Sequence, residues 1–138
     1  MNEDLDHARR MFDADGASHA LGISVAALGP GTASARMTVR PAMINGHGLM
    51  HGGYVFLLAD TAFALACNTY ADASVAQACD IRFLQPGRAG DELVATATER
   101  YRHGRTGIYD VTVRRADGDV IAELRGHSRT LPPGSAAR

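Results

Sequence analysis

Asp60 stands inside the run YVFLLADTAFALAC, residues 54–67, where the only other polar side chain of note is Thr61. A carboxylate is costly to bury unless it is partnered or used, and perturbed acids gather at sites of proton transfer. Alternatively it sits on a wet helix face, or accepts a structural hydrogen bond beside Thr61. Gly52-Gly53 opens the same run. The free N–H groups of a helix N-terminus bind anions and developing oxyanions, and glycine allows close approach. Just upstream, His51 could hydrogen-bond a substrate carbonyl or cap the helix start. Asn45 before Gly46 is an ordinary turn pair. Eight helical residues span about 12 Å at 1.5 Å each, so Gly52 and Asp60 of one helix cannot touch one carbonyl. If both act on one substrate, Asp60 comes from a second subunit. The chemistry then requires a dimer with antiparallel central helices and two equivalent sites.

Other chemistries lack their residues. All 14 basic residues are Arg, which removes Schiff-base and lysine-amine catalysis. No GxSxG, HExxH or GxxxxGK[ST] motif occurs, and no Cys/His cluster has zinc spacing, so no metal site is expected. Asp117-Gly118-Asp119 is a turn without the later ligands of a calcium loop. Cys67 and Cys79 read as core thiols, and two cysteines make no disulfide framework, which suits a reduced, cytoplasmic protein. A net charge of −1 and the lack of a basic stripe disfavour nucleic acid. The first 15 residues carry five acids and no apolar core of a signal peptide. The 14-residue apolar run falls short of the roughly 20 residues of a membrane span.

The elements that would position these groups follow from periodicity. With 138 residues and 46% hydrophobic content, a single domain over residues 1–138 is expected. A short amphipathic helix covers about 3–15. Strand-like segments at 23–28 and 32–39 flank Gly29-Pro30-Gly31, a hairpin signal. A loop from Pro41 to Met50 leads into the helix, expected from about Gly53 to Tyr70 and apolar on nearly all sides, so it must be wrapped. Four antiparallel strands follow, at 74–85, 91–101, 108–115 and 120–130, broken by turns at 86–90, 104–107 and 117–118. Residues 131–138 read as a loose tail. A sheet wrapped around one long apolar helix is an α+β architecture of the hotdog type.

The segment NGHGLMHGGYVFLLADTAFALA, residues 45–66, resembles the PaaI-type hotdog thioesterases of phenylacetate degradation. CDIRFLQPGRAGDELVATATE (79–99), Thr106 to Asp110 and Arg125-Gly126 extend the likeness to about residues 11–130. The resemblance implies a hydrolase of acyl-coenzyme A thioesters, with phenylacetyl and hydroxyphenylacetyl groups typical. Coenzyme A is then part of the substrate, and no cofactor is needed. It also implies two protomers sharing one continuous sheet, with dimers pairing into tetramers. Gly52 would polarise the thioester carbonyl, Asp60 of the other subunit would act as base or nucleophile, and His51 and Asn45 would orient thioester or water. Other aromatic or medium-chain thioesters, or non-catalytic acyl-coenzyme A binding, are the alternatives.

Several residues are candidates for holding substrate. Gly53 lies at the helix start. Arg88, and Arg105 with Thr106, occupy turns where guanidinium groups could grip coenzyme A phosphates, or could equally be solvated. Gln77 lies on the strand after the helix and could face the site. Tyr54, Phe56 or Phe63, with loop residues near Met50, would build an aryl pocket, Phe63 serving equally as core.

Overall fold

The computed structural model describes residues 3–134. The expected tail lies partly outside them, and residues 131–134 form no strand or helix. The elements are α1 (Glu3–Asp13), α2 (Gly16–Ala20), β1 (Ser24–Gly29), β2 (Thr32–Thr38), a single 3₁₀ turn (Pro41–Met43), α3 (Gly52–Cys67), β3 (Ser74–Phe83), β4 (Glu92–His103), β5 (Thr106–Arg115) and β6 (Val120–Thr130). The expected N-terminal helix is thus two. Asp15 stops α1 and caps α2, accepting the Ser18 N–H on its carboxylate at 3.0 Å.

One antiparallel sheet has the order β1-β2-β4-β5-β6-β3. The alternation read from sequence sets its inner face. Ala33, Ala35 and Met37 of β2, Leu93, Ala95 and Ala97 of β4, and Tyr109, Val111 and Val113 of β5 are all buried. The alanines keep the floor low, so α3 lies close on β2, β4 and β5 and reaches β1, β3 and β6. Together with α1, which contributes Ala8 and Phe12 to the core, the sheet wraps the helix. Close packing decides two glycines. A Cβ on Gly126 of β6 would stand 2.6 Å from the Phe63 ring, and one on Gly107 of β5 would stand 2.6 Å from Ser128 Oγ.

The central helix ends at Cys67, three residues before the expected end at about Tyr70. Asn68 donates from Nδ2 to the Ala64 and Ser74 carbonyls and accepts the Ser74 N–H. Thr69 donates to the Ala66 carbonyl and accepts the Gly31 N–H. These side chains bond the Ala64 and Ala66 carbonyls of the last turn and pin the helix end to the β1–β2 turn and the start of β3. In that turn Gly31 has φ +70°, a backbone region that favours glycine.

β3, the strand that leaves the helix, lies at the sheet edge beside β6 rather than beside β4. One long side of it therefore has no strand partner within the protomer. No helix among the described residues is long and apolar enough to cross a membrane.

Candidate active site

The N-terminus of α3 is built by the loop before it. Asn45 Oδ1 accepts the N–H groups of His47 and Leu49, and Asn45 and Leu49 also bond through their backbones. His51 is the N-cap: its N–H donates to the Met43 carbonyl, and its Nδ1 accepts the Gly53 N–H at 3.0 Å. Of the readings open to Asn45 and His51, both local structural ones are realised. Gly53 is spent on this cap. The Gly52 N–H has no hydrogen-bond partner among the described residues. The cap thus leaves free the donor at the first helical position, and the Asn45 Nδ2 group is also free.

Gly52 opens into a cavity of about 410 Å³ lined by Asn45, Leu49, Met50, Val55, Phe83 and Leu84, with residues 85–87 closing one side. Its walls are chiefly apolar, and its polar groups are few, the pattern of a small-molecule site. The expected aromatic wall lies elsewhere. Phe63 is buried core, its ring centroid 5.7 Å from that of Tyr109. Tyr54 and Phe56 are half-buried and do not line this cavity, whereas Met50 does. The aromatic residue here is Phe83, 55% exposed, with Leu84 beside it. Phe83 was missed because a period-two strand reading gives no reason to single out its last residue. The signal available was two consecutive apolar residues, Phe83 and Leu84, before Gln85-Pro86-Gly87.

Asp60 is two turns further along α3 and does not line the cavity at Gly52. Its carboxylate has no hydrogen-bond partner among the described residues, and its unpartnered oxygens are not fully sealed. Burial pushes its pKa above the usual carboxylate range, and the negative charge of Asp15 adds to this. Asp60 also lies within electrostatic reach of Cys79 on the edge strand and of Cys67 in its own helix. Burial pushes the Cys67 thiol up to about 12, which leaves it a neutral core group.

The remaining candidates are dispersed. Gln77 is the extra residue of a bulge in β3: Ala76 pairs with Ser128 and Ala78 with His127, leaving Gln77 unopposed and exposed. Arg88 is exposed in the β3–β4 turn next to Gly87 of the cavity wall, its own N–H donating to Asp91. Arg105 and Thr106 are exposed at the other end of β3, where the Thr130 N–H donates to the Arg105 carbonyl. Thr106 is the first residue of β5 rather than part of the turn. Among the described residues no group of three or more His, Cys, Asp or Glu is placed to hold a metal ion.

A six-stranded antiparallel sheet around one apolar helix, with a free N–H at that helix's start and an unpaired acid along it, defines a hotdog enzyme suited to carbonyl chemistry. Residues 47–122 match the thioesterase superfamily, and the chain belongs to that family. It is 45% identical over 125 residues to the acyl-coenzyme A thioesterase PaaI of Escherichia coli, covering 91% of this chain and 89% of that protein. The solved structure of the E. coli PaaI protein from the phenylacetic acid degradation operon is similar with a TM-score of 0.92 and 42% identity, covering 95% and 96% of the two chains. A mutant form of the phenylacetic acid degradation protein PaaI of Thermus thermophilus is similar with a TM-score of 0.82 and 38% identity, covering 85% of this chain and 100% of that one.

Proposed function

We propose that this protein hydrolyses acyl-coenzyme A thioesters whose acyl group is aromatic, of the phenylacetyl or hydroxyphenylacetyl type, within aromatic catabolism. The observation that carries the reading is the unpaired Gly52 N–H at the start of α3, opening into an apolar cavity. The similarity to PaaI proteins supports the substrate class.

In the proposed reaction the thioester carbonyl oxygen takes a hydrogen bond from the Gly52 N–H at the positive end of the helix dipole. Asn45, fixed through Oδ1, offers Nδ2 to the carbonyl or to the attacking water. His51 holds the helix start open and Gly53 completes that cap. Asp60, from the partner subunit, removes a proton from water as the water oxygen bonds to the carbonyl carbon. The tetrahedral intermediate then expels the coenzyme A thiolate, which is protonated, leaving the free acid. A raised pKa suits a general base near neutral pH. Asp60 as a nucleophile forming a mixed anhydride is separated from this by single turnover in ¹⁸O water. Label then enters the Asp60 carboxyl only by the covalent route. Protein groups and water suffice, with no cofactor.

The dimer is part of the proposal. Two copies joined antiparallel along their free β3 edges would carry the Asp60 region of one helix toward Gly52 of the other. The Arg105 end of one β3 would then approach the Phe83 end of its partner. Arg105 and Thr106 of one subunit and Arg88 of the other would flank the cavity mouth as phosphate contacts. Gln77, at the bulge, would face the junction. Dimers would pair into tetramers, and the two free thiols fit a cytoplasmic setting.

The test is thiol release from a panel of acyl-coenzyme A thioesters, with wild type beside Asp60→Asn. Turnover of aryl-acetyl thioesters that falls by about two orders of magnitude or more in the variant is expected for a base or nucleophile. A folded wild type that turns over no thioester overturns the proposal.

A further inference from the structure

Helix α2 has no role in the chemistry above, yet its only buried polar residue reaches the central helix beside Asp60. Ser18 is 1% exposed. Its Oγ donates to Asp15 Oδ2 at 2.6 Å, its N–H donates to Asp15 Oδ1 at 3.0 Å, and Oγ lies 2.9 Å from Thr61 Oγ1. Thr61, 7% exposed, is the residue after Asp60. A chain of hydrogen bonds thus runs from the Asp15 carboxylate through the Ser18 hydroxyl to the Thr61 hydroxyl, on the residue next to the acid. Both donors from Ser18 end on Asp15, and none ends on Asp60.

We propose that Asp15 is a positioning residue for Asp60: anchored by Ser18 and tied to Thr61, it holds a second negative charge at a fixed place on the flank of the acid. This rests on the reading of Asp60 as the base. A neighbouring negative charge disfavours the ionised form of a carboxyl group, so the carboxylate that does form is a stronger base. Two acids of one chain, one hydrogen-bonded and one bare, are thereby given different tasks by their surroundings.

Among the described residues, Asp15 is the charged group that acts on Asp60. Cys79 on β3 and Cys67 on α3 are thiols whose own pKa values are raised, hence neutral. β2, β4 and β5 present Ala33, Ala35, Met37, Leu93, Ala95, Ala97, Val111, Val113 and the phenol Tyr109 to the core. β6 contributes Ile121, Ala122 and Leu124, and α1 contributes Ala8 and Phe12. His7 of α1 is engaged with the Tyr70 carbonyl, beyond the far end of the helix.

The experiment compares the full-length protein with Asp15→Asn, which removes the charge while keeping an oxygen that can cap α2. The Asp60 carboxyl is followed by carbon NMR through a pH titration, assigned with Asp60→Asn, and kcat/KM is measured over the same range. In Asp15→Asn the Asp60 midpoint should fall by about half a pH unit or more, and the acid limb of kcat/KM should move down with it. Ser18→Ala, which frees Asp15 from Thr61, should shift both in the same direction by less. If Asp15→Asn loosens α2, Asp15→Ser keeps a neutral N-cap oxygen and gives the same readout. An Asp60 midpoint that stays put in both Asp15 variants overturns the inference. Undiminished turnover by Asp60→Asn is a separate result, and it overturns the reading on which the inference rests.

Discussion

The Phe83 ring lies directly over Gly52: a Cβ added to that glycine would stand 3.1 Å from Cζ and 3.2 Å from Cε1. The helix start therefore has a roof, and that roof is a half-exposed side chain at the end of β3. The backbone at the helix start allows the Gly52 donor to be removed without disturbing the helix. Gly52 is the first helical residue, where proline is favoured, and His51 has φ −62° and ψ 131°, the extended conformation that suits a residue before proline.

Gly52→Pro should keep the fold and lose about 10²–10³ in kcat, the effect of deleting one oxyanion donor. Gly52→Ala keeps the N–H and only crowds Phe83, so its loss should be smaller by an order of magnitude. Steady-state thiol release by the two purified variants makes the comparison. Equal losses would assign the effect to the roof rather than to the donor.

Asp60 should cost stability at neutral pH. Its pKa is higher in the folded chain than in the unfolded one, so between those two values the native state binds more protons and stability falls as pH rises. Below the unfolded value both states are protonated and the penalty vanishes. Asp60→Asn should therefore raise Tm by about 2–5 °C at pH 7–8. The gain should shrink to nothing as pH is lowered past the ordinary carboxylate range. Differential scanning calorimetry at several pH values reads this, and a variant less stable at pH 7 would contradict it.

Substrate size should be read by Phe83. Phe83→Ala enlarges a cavity of about 410 Å³ at its open side. KM for aryl-acetyl thioesters should rise by about tenfold, the worth of one lost aromatic contact. Long-chain thioesters should gain relative to them. Kinetics across acyl groups of increasing length test the shift in rank.

The inner glycine of β6 should resist any side chain. Gly126→Ala places a Cβ 2.6 Å from the Phe63 ring, which is 1% exposed and has nowhere to go. A destabilisation of about 1–3 kcal/mol is expected, measured by urea unfolding. Phe63→Leu should recover part of it in the double variant, since the two residues are in contact.

Much of this arrangement was legible in sequence, and the reasons are local. The alternation of Ala33, Ala35 and Met37, and of Leu93, Ala95 and Ala97, fixed which strand faces turn inward, because side chains along a strand change face at every residue. The all-round apolarity of residues 54–67 required a helix wrapped by a sheet. What pattern could not supply was long-range. The place of β3 at the edge depends on pairing with β6, some fifty residues later. The early stop of α3 depends on Asn68 and Thr69 finding partners at Ser74 and Gly31. In the candidate site, Gly52 and Asp60 stood out by type and spacing, whereas Asn45 read as an ordinary turn residue until the resemblance singled it out. His51 resolved into a cap, which only geometry could decide. Phe83 lay hidden because exposed aromatics at strand ends look like chance until something is seen beneath them. Asp15 read as one of five N-terminal acids, and its tie to Thr61 runs through Ser18, which lies 43 residues before Thr61.

The position of β3 also bears on how the chain reaches its fold. The segment through Phe83 emerges from the ribosome with β3 already complete, but the strand that zips along it, β6, begins only at Val120. During that interval β4 and β5 join β2 over α3, while β3 offers two bare edges instead of one. Chains stalled or cleaved before Val120 would retain that doubly open strand, the feature by which partly built sheets find one another and aggregate.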